Sequence, residues 1–212
     1  MNKVLIDGGT GFVGMWMRKT QPPELECRYI GRSEFESMKW TQERYDYYVH
    51  LANVSPLPVI NAVEWFCARM LYASSGIVYS NAQTEYAQNK RIWEWYCIES
   101  GVTAVIARLF TFFGKGLDDG KAYTQFIKSA REGKPLEVWG DGSTVRSYMH
   151  GSEMARQMWD LLLTGESGEI RDIGSKRPQT IKRLAERISA FTGAKIEYIE
   201  KDVPMPYYVP KG

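Results

Sequence analysis

Apolar residues fall along this chain in two rhythms. Short apolar or alternating runs at Val4-Leu5-Ile6, Cys27-Arg28-Tyr29-Ile30, Tyr47–Leu51, Met70-Leu71-Tyr72-Ala73 and Val102–Leu109 predict strands. Between them, helical spacing marks Phe12–Lys19, closed off by Pro22-Pro23, and then Val63–Met70 and Tyr86–Ser100. Strands alternating with helices predict an α/β fold built on a doubly wound parallel sheet, here assigned to residues 1–113. From Gly114 to Gly142 the pattern loosens around one helical stretch, Tyr123–Arg131, and a short strand, Leu136–Trp139. Residues 114–212 are therefore expected to form mainly a small C-terminal lobe, with 145–175 returning in part to the first domain. Ser152–Leu163 and Thr180–Phe191 read as amphipathic helices, the second opened by Thr180 as N-cap and ended at Gly193, with Lys195–Ile199 as a late strand.

Composition adds exclusions. With 44% hydrophobic and 25% charged residues over 212 positions, the chain has the balance of a globular protein and not of a disordered tail. Lys and Arg number 27 against 25 Asp and Glu, a net +2, which gives no general attraction for nucleic acid or a membrane surface. Cys27, Cys67 and Cys97 are odd in number and far apart, without a C-x-x-C pair, so neither a disulfide framework nor a metal site is expected. Met1 leads straight into strand-like sequence, with no basic stretch before a long apolar run, and the expectation is a cytoplasmic protein without signal peptide or anchor.

The first chemical signal is Asp7-Gly8-Gly9-Thr10-Gly11-Phe12-Val13-Gly14, placed directly after a strand and opening a helix. Glycines there permit a tight turn and close approach of a pyrophosphate, at which the helix N-terminus points its positive end. This predicts a Rossmann-type dinucleotide site. At the end of the second strand stands Gly31-Arg32-Ser33, where an acid would bind a free ribose 2′-hydroxyl; a small residue followed by Arg32 and Ser33 instead suits a 2′-phosphate and favours NADP within an NAD(P) assignment. A second signal is Tyr86-Ala87-Gln88-Asn89-Lys90, with Glu94 four residues on. Positions i and i+4 share a helix face, and an ammonium beside a phenol favours the phenolate, so the hydroxyl can exchange protons with a substrate alcohol near neutral pH. The serines of Ala73-Ser74-Ser75-Gly76-Ile77-Val78-Tyr79 fall at a strand's carboxyl end, where doubly wound sheets bind ligands.

At these residues the sequence resembles the extended short-chain dehydrogenase/reductases, in particular the nucleotide-sugar epimerase/dehydratase group. Tyr48-Val49-His50-Leu51-Ala52 resembles the family's third-strand segment, and Arg108-Leu109-Phe110-Thr111-Phe112-Phe113-Gly114 its R-x-F-N-x-x-G segment. Gly140-Asp141-Gly142-Ser143-Thr144-Val145-Arg146-Ser147-Tyr148-Met149-His150 resembles G-D-G-x-x-x-R-D-[FY]-x-H, and Asp172-Ile173-Gly174-Ser175 a later turn. The resemblance implies a catalytic triad of Ser75, Tyr86 and Lys90, with Lys90 also holding the nicotinamide ribose. It implies a cofactor bed of Gly8, Gly11, Phe12, Val13, Gly14, Leu51 and Ala52, and a nucleoside-diphosphate sugar held by Ser75, Thr111, Trp139, Arg146 and Tyr148, with Arg146 on the diphosphate. A homodimer paired through Val63–Met70 and Tyr86–Ser100 is also implied. His50 and His150 are read as structural residues at strand ends.

Departures from the family pattern narrow the reaction. Thr111 stands where the family usually has asparagine and Ser147 where it has aspartate, and the Asn53–Ser74 and Ser75–Tyr86 intervals are short for the group. Sugar 4,6-dehydratases resembling this group carry an Asp-Glu pair after the catalytic hydroxyl residue; Gly76 and Ile77 occupy those positions. An epimerase, which oxidises a sugar hydroxyl transiently and returns the hydride to the other face, needs only the bare triad. An NADPH-dependent keto-sugar reductase uses the same residues and is favoured by Arg32, and a dinucleotide sensor without turnover needs none of them.

Overall fold

The structure, a computed structural model, describes residues 1–38, 43–53, 67–117, 120–201 and 210. The chain divides into two compact units, 1–109 with 151–173, and 110–150 with 174–212.

The first unit is built on six parallel strands: β1 (Asn2–Ile6), β2 (Leu25–Tyr29), β3 (Tyr45–His50), β4 (Cys67–Ser75), β5 (Ala104–Leu109) and β10 (Ile170–Ile173), in the order β10-β5-β4-β3-β1-β2. On one face lies α3 (Glu85–Glu99), started by Thr84, whose side chain accepts from the Ala87 amide. Its buried residues Ala87, Lys90, Trp93, Glu94 and Cys97 recur every three or four positions, as a sheet-facing helix requires. Trp93 and Cys97 pack there with Leu5, Tyr48, Tyr72 and Ile106. On the other face, α1 (Phe12–Lys19) packs against α5 (Gly151–Thr164), and Trp159 Nε1 donates to Met17 O at 3.1 Å. Covered on both faces, the middle of the sheet is apolar: Val4, Leu5 and Ile6 of β1 are all fully buried.

Two elements differ from the sequence reading. The helix expected over Val63–Met70 is, from Cys67 onward, the start of β4, whose Cys67 and Arg69 pair in register with Tyr45 and Tyr47 of β3; Val63–Phe66 lie outside the described residues. A short apolar run fits either period, and here the neighbouring strand decides. Arg32 and Ser33, read at the end of the second strand, open a helix, α2 (Arg32–Ser37), that buries Phe35.

In the second unit, β6 (Thr111–Phe113) pairs with β9 (Tyr148–His150), β7 (Leu136–Trp139) with β12 (Ile196–Ile199), both parallel, and β8 (Val145–Arg146) with β11 (Gln179–Thr180), antiparallel. Helices α4 (Ala122–Arg131) and α6 (Ile181–Thr192) bury Phe126, Leu184, Ala185 and Ile188 against Leu136 and Val138 of β7. Thr180 caps α6 by accepting from the Arg183 amide, and Gly193 ends it in the left-handed conformation. The return to the first unit runs over 151–173, not 145–175, because α5 and β10 join the parallel sheet while β8 and β9 pair with strands of the second unit.

Candidate functional site

Strand order reverses between β1 and β3, so the carboxyl ends of these two strands form the topological switch point at which open α/β sheets take their ligands. The glycine turn follows β1 there. Gly8 has φ +60°, and a Cβ on it would sit 3.0 Å from Leu51 Cβ and 3.1 Å from the Ala52 nitrogen, just past β3. Gly14, buried in α1, lies so close to the turn that a Cβ would be 2.6 Å from Gly9 Cα and 2.7 Å from Gly8 O. Gly11 is the N-cap of α1, with Phe12 and Val13 in its first turn; no side chain caps this helix and its first turn holds no acid. That backbone cradle with uncapped amides fits a pyrophosphate. Since main-chain atoms block a Cβ at position 14, Gly14→Ala is expected to cost about 1–3 kcal/mol and to weaken dinucleotide binding. Chemical denaturation with calorimetric titration checks this; an unchanged midpoint and affinity would show that the turn is not packed as described.

Arg32 and Ser33 are exposed in the first turn of α2, after β2. Glu34, the nearest acid, is occupied by Arg28 at 2.8 Å.

Ser75, Tyr86 and Lys90 come from the end of β4 and the start of α3. Alternation along β4 turns Ser74 inward, where its buried hydroxyl donates to Glu94 Oε1 at 2.5 Å, and leaves Ser75 to accept from the Ile77 amide at 3.3 Å as cap of a short 3-10 turn, Gly76–Tyr79. Lys90 is buried and donates from Nζ to Ala73 O at 2.8 Å. Its Nζ lies 5.6 Å from the centre of the Tyr86 ring and 4.9 Å from that of Tyr72. Burial pushes the Lys90 ammonium down to about 8, against the pull of Asp7 and Glu94. Tyr86 is 39% exposed, leaving its hydroxyl within reach of a ligand.

Two groups of buried polar residues escaped the motif reading. Asp7 joins Tyr48, His50 and the Leu51 and Ala52 amides. Glu94 takes Arg108 in a two-pronged ion pair, Nε at 2.9 Å and Nη2 at 2.6 Å; Arg108 then donates to Tyr79, which donates to Asp172. The visible signal was an acid directly after a buried strand, and a second acid one turn beyond Lys90.

Thr111, Trp139, Arg146 and Tyr148 belong to the second unit. Thr111 and Tyr148 are register partners across β6 and β9. Lys201 Nζ lies 3.8 Å over the Trp139 ring, which is 39% exposed. Arg146 is half-buried on β8, its Nη1 donating to Val145 O at 2.8 Å. Ser147, fully buried, donates to Ser175 O at 2.6 Å and so fastens two segments of this unit. Tyr148 also lines a cavity of about 860 Å³ with Phe113, Tyr123 and the arginines Arg177, Arg183 and Arg187.

A family model described as NAD dependent epimerase/dehydratase family matches residues 36–174. The chain belongs to this family. The matched stretch holds Ser75, Tyr86, Lys90, Thr111, Trp139, Arg146 and Tyr148; the glycine turn and Arg32 precede it. Among curated relatives of this epimerase/dehydratase family member, UDP-glucuronic acid decarboxylase 1 of Danio rerio is 26% identical over 152 residues, 60% of this chain and 36% of the relative. The dTDP-4-dehydro-6-deoxy-D-allose reductase of Streptomyces sp is 26% identical over 164 residues, 76% of this chain and 48% of the relative. The chain thus spans half or less of these relatives' lengths. Among solved structures, a mutant UDP-glucuronic acid 4-epimerase from Bacillus cereus, in complex with UDP-4-deoxy-4-fluoro-glucuronic acid and NAD, superposes with a TM-score of 0.81. At 18% identity, over 96% of this chain and 88% of the other, it shares the parallel-sheet fold.

Proposed function

We propose that this family member is an NAD(P)-dependent nucleoside-diphosphate-sugar epimerase that works through a transient keto-sugar. The observation that carries the reading is the conjunction of a partly exposed Tyr86 with a buried Lys90 one helical turn on, at the carboxyl edge of a sheet whose glycine turn is shaped for a pyrophosphate. Bound on that turn and on Leu51 and Ala52, the nicotinamide would supply the hydride acceptor. Tyr86 takes the proton of the sugar hydroxyl as its carbon is oxidised and returns it on reduction. The Lys90 charge stabilises the phenolate, and Ser75 hydrogen-bonds the same sugar oxygen. Gly76 and Ile77 supply no acid or base for eliminating water, which argues against dehydration. In the second unit, Arg146 is assigned to the substrate diphosphate and Trp139, Thr111 and Tyr148 to the nucleoside and sugar.

The test is a panel of UDP- and dTDP-sugars incubated with catalytic NAD+ or NADP+. Epimer formed with the sugar's own hydrogen retained, and without net consumption of dinucleotide, supports the proposal; no epimer from any substrate contradicts it. A second reading, NADPH-dependent keto-sugar reduction, is favoured by the exposed Arg32 beside a Glu34 already paired to Arg28, an arrangement suited to a 2′-phosphate. One-for-one oxidation of NADPH with a keto-sugar nucleotide would establish it.

Arg146→Ala is expected to raise KM for the sugar nucleotide about tenfold or more, a charge-assisted diphosphate contact being worth about 1.5–3 kcal/mol. Unchanged KM across the panel would remove Arg146 from the site. The reading also includes a homodimer through α3, from which Ile92, Trp95 and Ile98 project 50–65% exposed. Sedimentation should then give the mass of two chains, and a single-chain mass would contradict it.

A further inference from the structure

The residue just before the glycine turn is an acid sealed from solvent. Asp7 is 0% exposed, and both carboxylate oxygens are engaged. Oδ1 accepts from the Leu51 and Ala52 amides at 2.6 and 2.8 Å; Oδ2 accepts from the Tyr48 hydroxyl and lies 2.5 Å from His50 Nδ1. A carboxylate survives burial only where such partners repay its lost hydration. Burial alone would push the Asp7 carboxyl up, but the His50 ring and the hydrogen bonds from Tyr48 and Ala52 outweigh it and hold it below its ordinary value. All these partners belong to β3 or the two residues after it. One side chain therefore pins the end of β1 to the end of β3, where the backbone is already so close that a Cβ on Gly8 would sit 3.1 Å from the Ala52 nitrogen.

Resting on the reading of the glycine turn, Leu51-Ala52 and Tyr86–Lys90 as cofactor bed and proton-transfer pair, we propose that Asp7 is a positioning residue. Its carboxylate fixes the loop after β3 against the glycine turn, and it supplies one of the two buried negative charges that balance Lys90. Lys90 Nζ lies over the rings of Tyr86 from α3 and Tyr72 from β4, and the buried carboxylates of Asp7, at the end of β1, and Glu94, one turn on in α3, favour its charge. Behind them stand His50 and Tyr48 of β3 on Asp7, and Arg108 of β5 on Glu94. Each acid has its own partner, Arg108 on Glu94 at 2.6 Å and the His50 ring on Asp7 at 2.5 Å, and of the two Asp7 acts more strongly on the Lys90 charge.

Asp7→Asn keeps the shape and removes the charge. Two quantities are read: the titration midpoint of Lys90 in the resting protein, from its 13Cε resonance assigned by its loss in Lys90→Met, and the affinity for NAD+ and NADP+ by calorimetry. The midpoint is expected to fall by about one pH unit and the dinucleotide Kd to rise about tenfold, the size of effect one lost charge and a loosened loop produce. Tyr48→Phe removes one hydrogen bond but keeps the charge, and should leave the Lys90 midpoint in place. Should Asp7→Asn fail to fold, Asp7→Thr, smaller, neutral and still offering an acceptor oxygen, carries the same expectation. A merely structural Asp7 would lower the melting temperature without moving the Lys90 midpoint, and that result overturns the proposal. Wild-type protein that binds neither dinucleotide would overturn the functional reading instead; the Lys90 midpoint, read without ligand, still judges Asp7.

Discussion

Replacing Tyr86 by phenylalanine is expected to lower kcat about 10³-fold, within the range that one positioned acid or base supplies. The variant removes a single oxygen. The ring stays where Lys90 Nζ lies 5.6 Å from its centre, and at 39% exposure the side chain contributes little to the core, so the fold should be intact. Dinucleotide affinity should remain within a factor of about three, because Lys90, the glycine turn and Leu51-Ala52 are untouched, and only the step that moves a proton at the sugar oxygen is lost. Turnover assays and calorimetry on the same preparation check both halves. A kcat within tenfold of wild type would remove Tyr86 from the mechanism.

The Lys90 ammonium gives this mechanism a pH signature. Its value is lowered by burial from 10.5 to about 8, so the charge that favours the Tyr86 phenolate is present below about pH 8 and lost above it, and kcat should decline on that side. Its effect on stability has the opposite sign. Between about 8 and 10.5 the unfolded chain binds the proton that the folded chain has released, so the Lys90 contribution makes the protein more stable as pH rises through that window.

The second large effect is on stability. Glu94→Ala should cost about 3–5 kcal/mol, the range for breaking a buried ion pair from one side. Glu94 is only 6% exposed and serves three donors: Ser74 Oγ at 2.5 Å, Arg108 Nε at 2.9 Å and Arg108 Nη2 at 2.6 Å. Without it the Arg108 guanidinium, whose side chain is 18% exposed, keeps Tyr79 alone among the described residues, and the buried Ser74 loses its acceptor. Because Ser74 precedes Ser75, and Lys90 lies one turn before Glu94, the loss also loosens the site. Urea denaturation of Glu94→Ala beside the exposed Glu99→Ala measures it. Equal midpoints for the two would show that the Glu94–Arg108 pair holds nothing together.

Much of this architecture is local and was therefore legible. The glycine turn between an apolar run and a helix, the helix read over Tyr86–Ser100 and found at Glu85–Glu99, and the helix opened by Thr180 and ended at Gly193 are written in neighbouring residues. What was not legible depends on partners distant in sequence. Cys67–Met70 is strand because β3 lies beside it. Arg32–Ser37 is helical with one buried anchor, Phe35, too short to announce itself by periodicity. The two-residue strands β8 and β11 exist through each other, 33 residues apart at the Arg146–Gln179 pair. The Asp7–His50 contact needs the register of β1 against β3, in which Ile6 meets Val49, before an acid at one strand end and a histidine at the other can be seen to touch.

The most direct test of the central claim, a dinucleotide held on the glycine turn for chemistry by Tyr86, is to denature the purified protein and identify any released nucleotide by mass spectrometry, with calorimetric titration of protein that releases none. The account predicts NAD or NADP, either released at about one per chain or bound in the titration, and bound more weakly by Gly14→Ala. Protein that releases no dinucleotide and binds neither NAD nor NADP would contradict it.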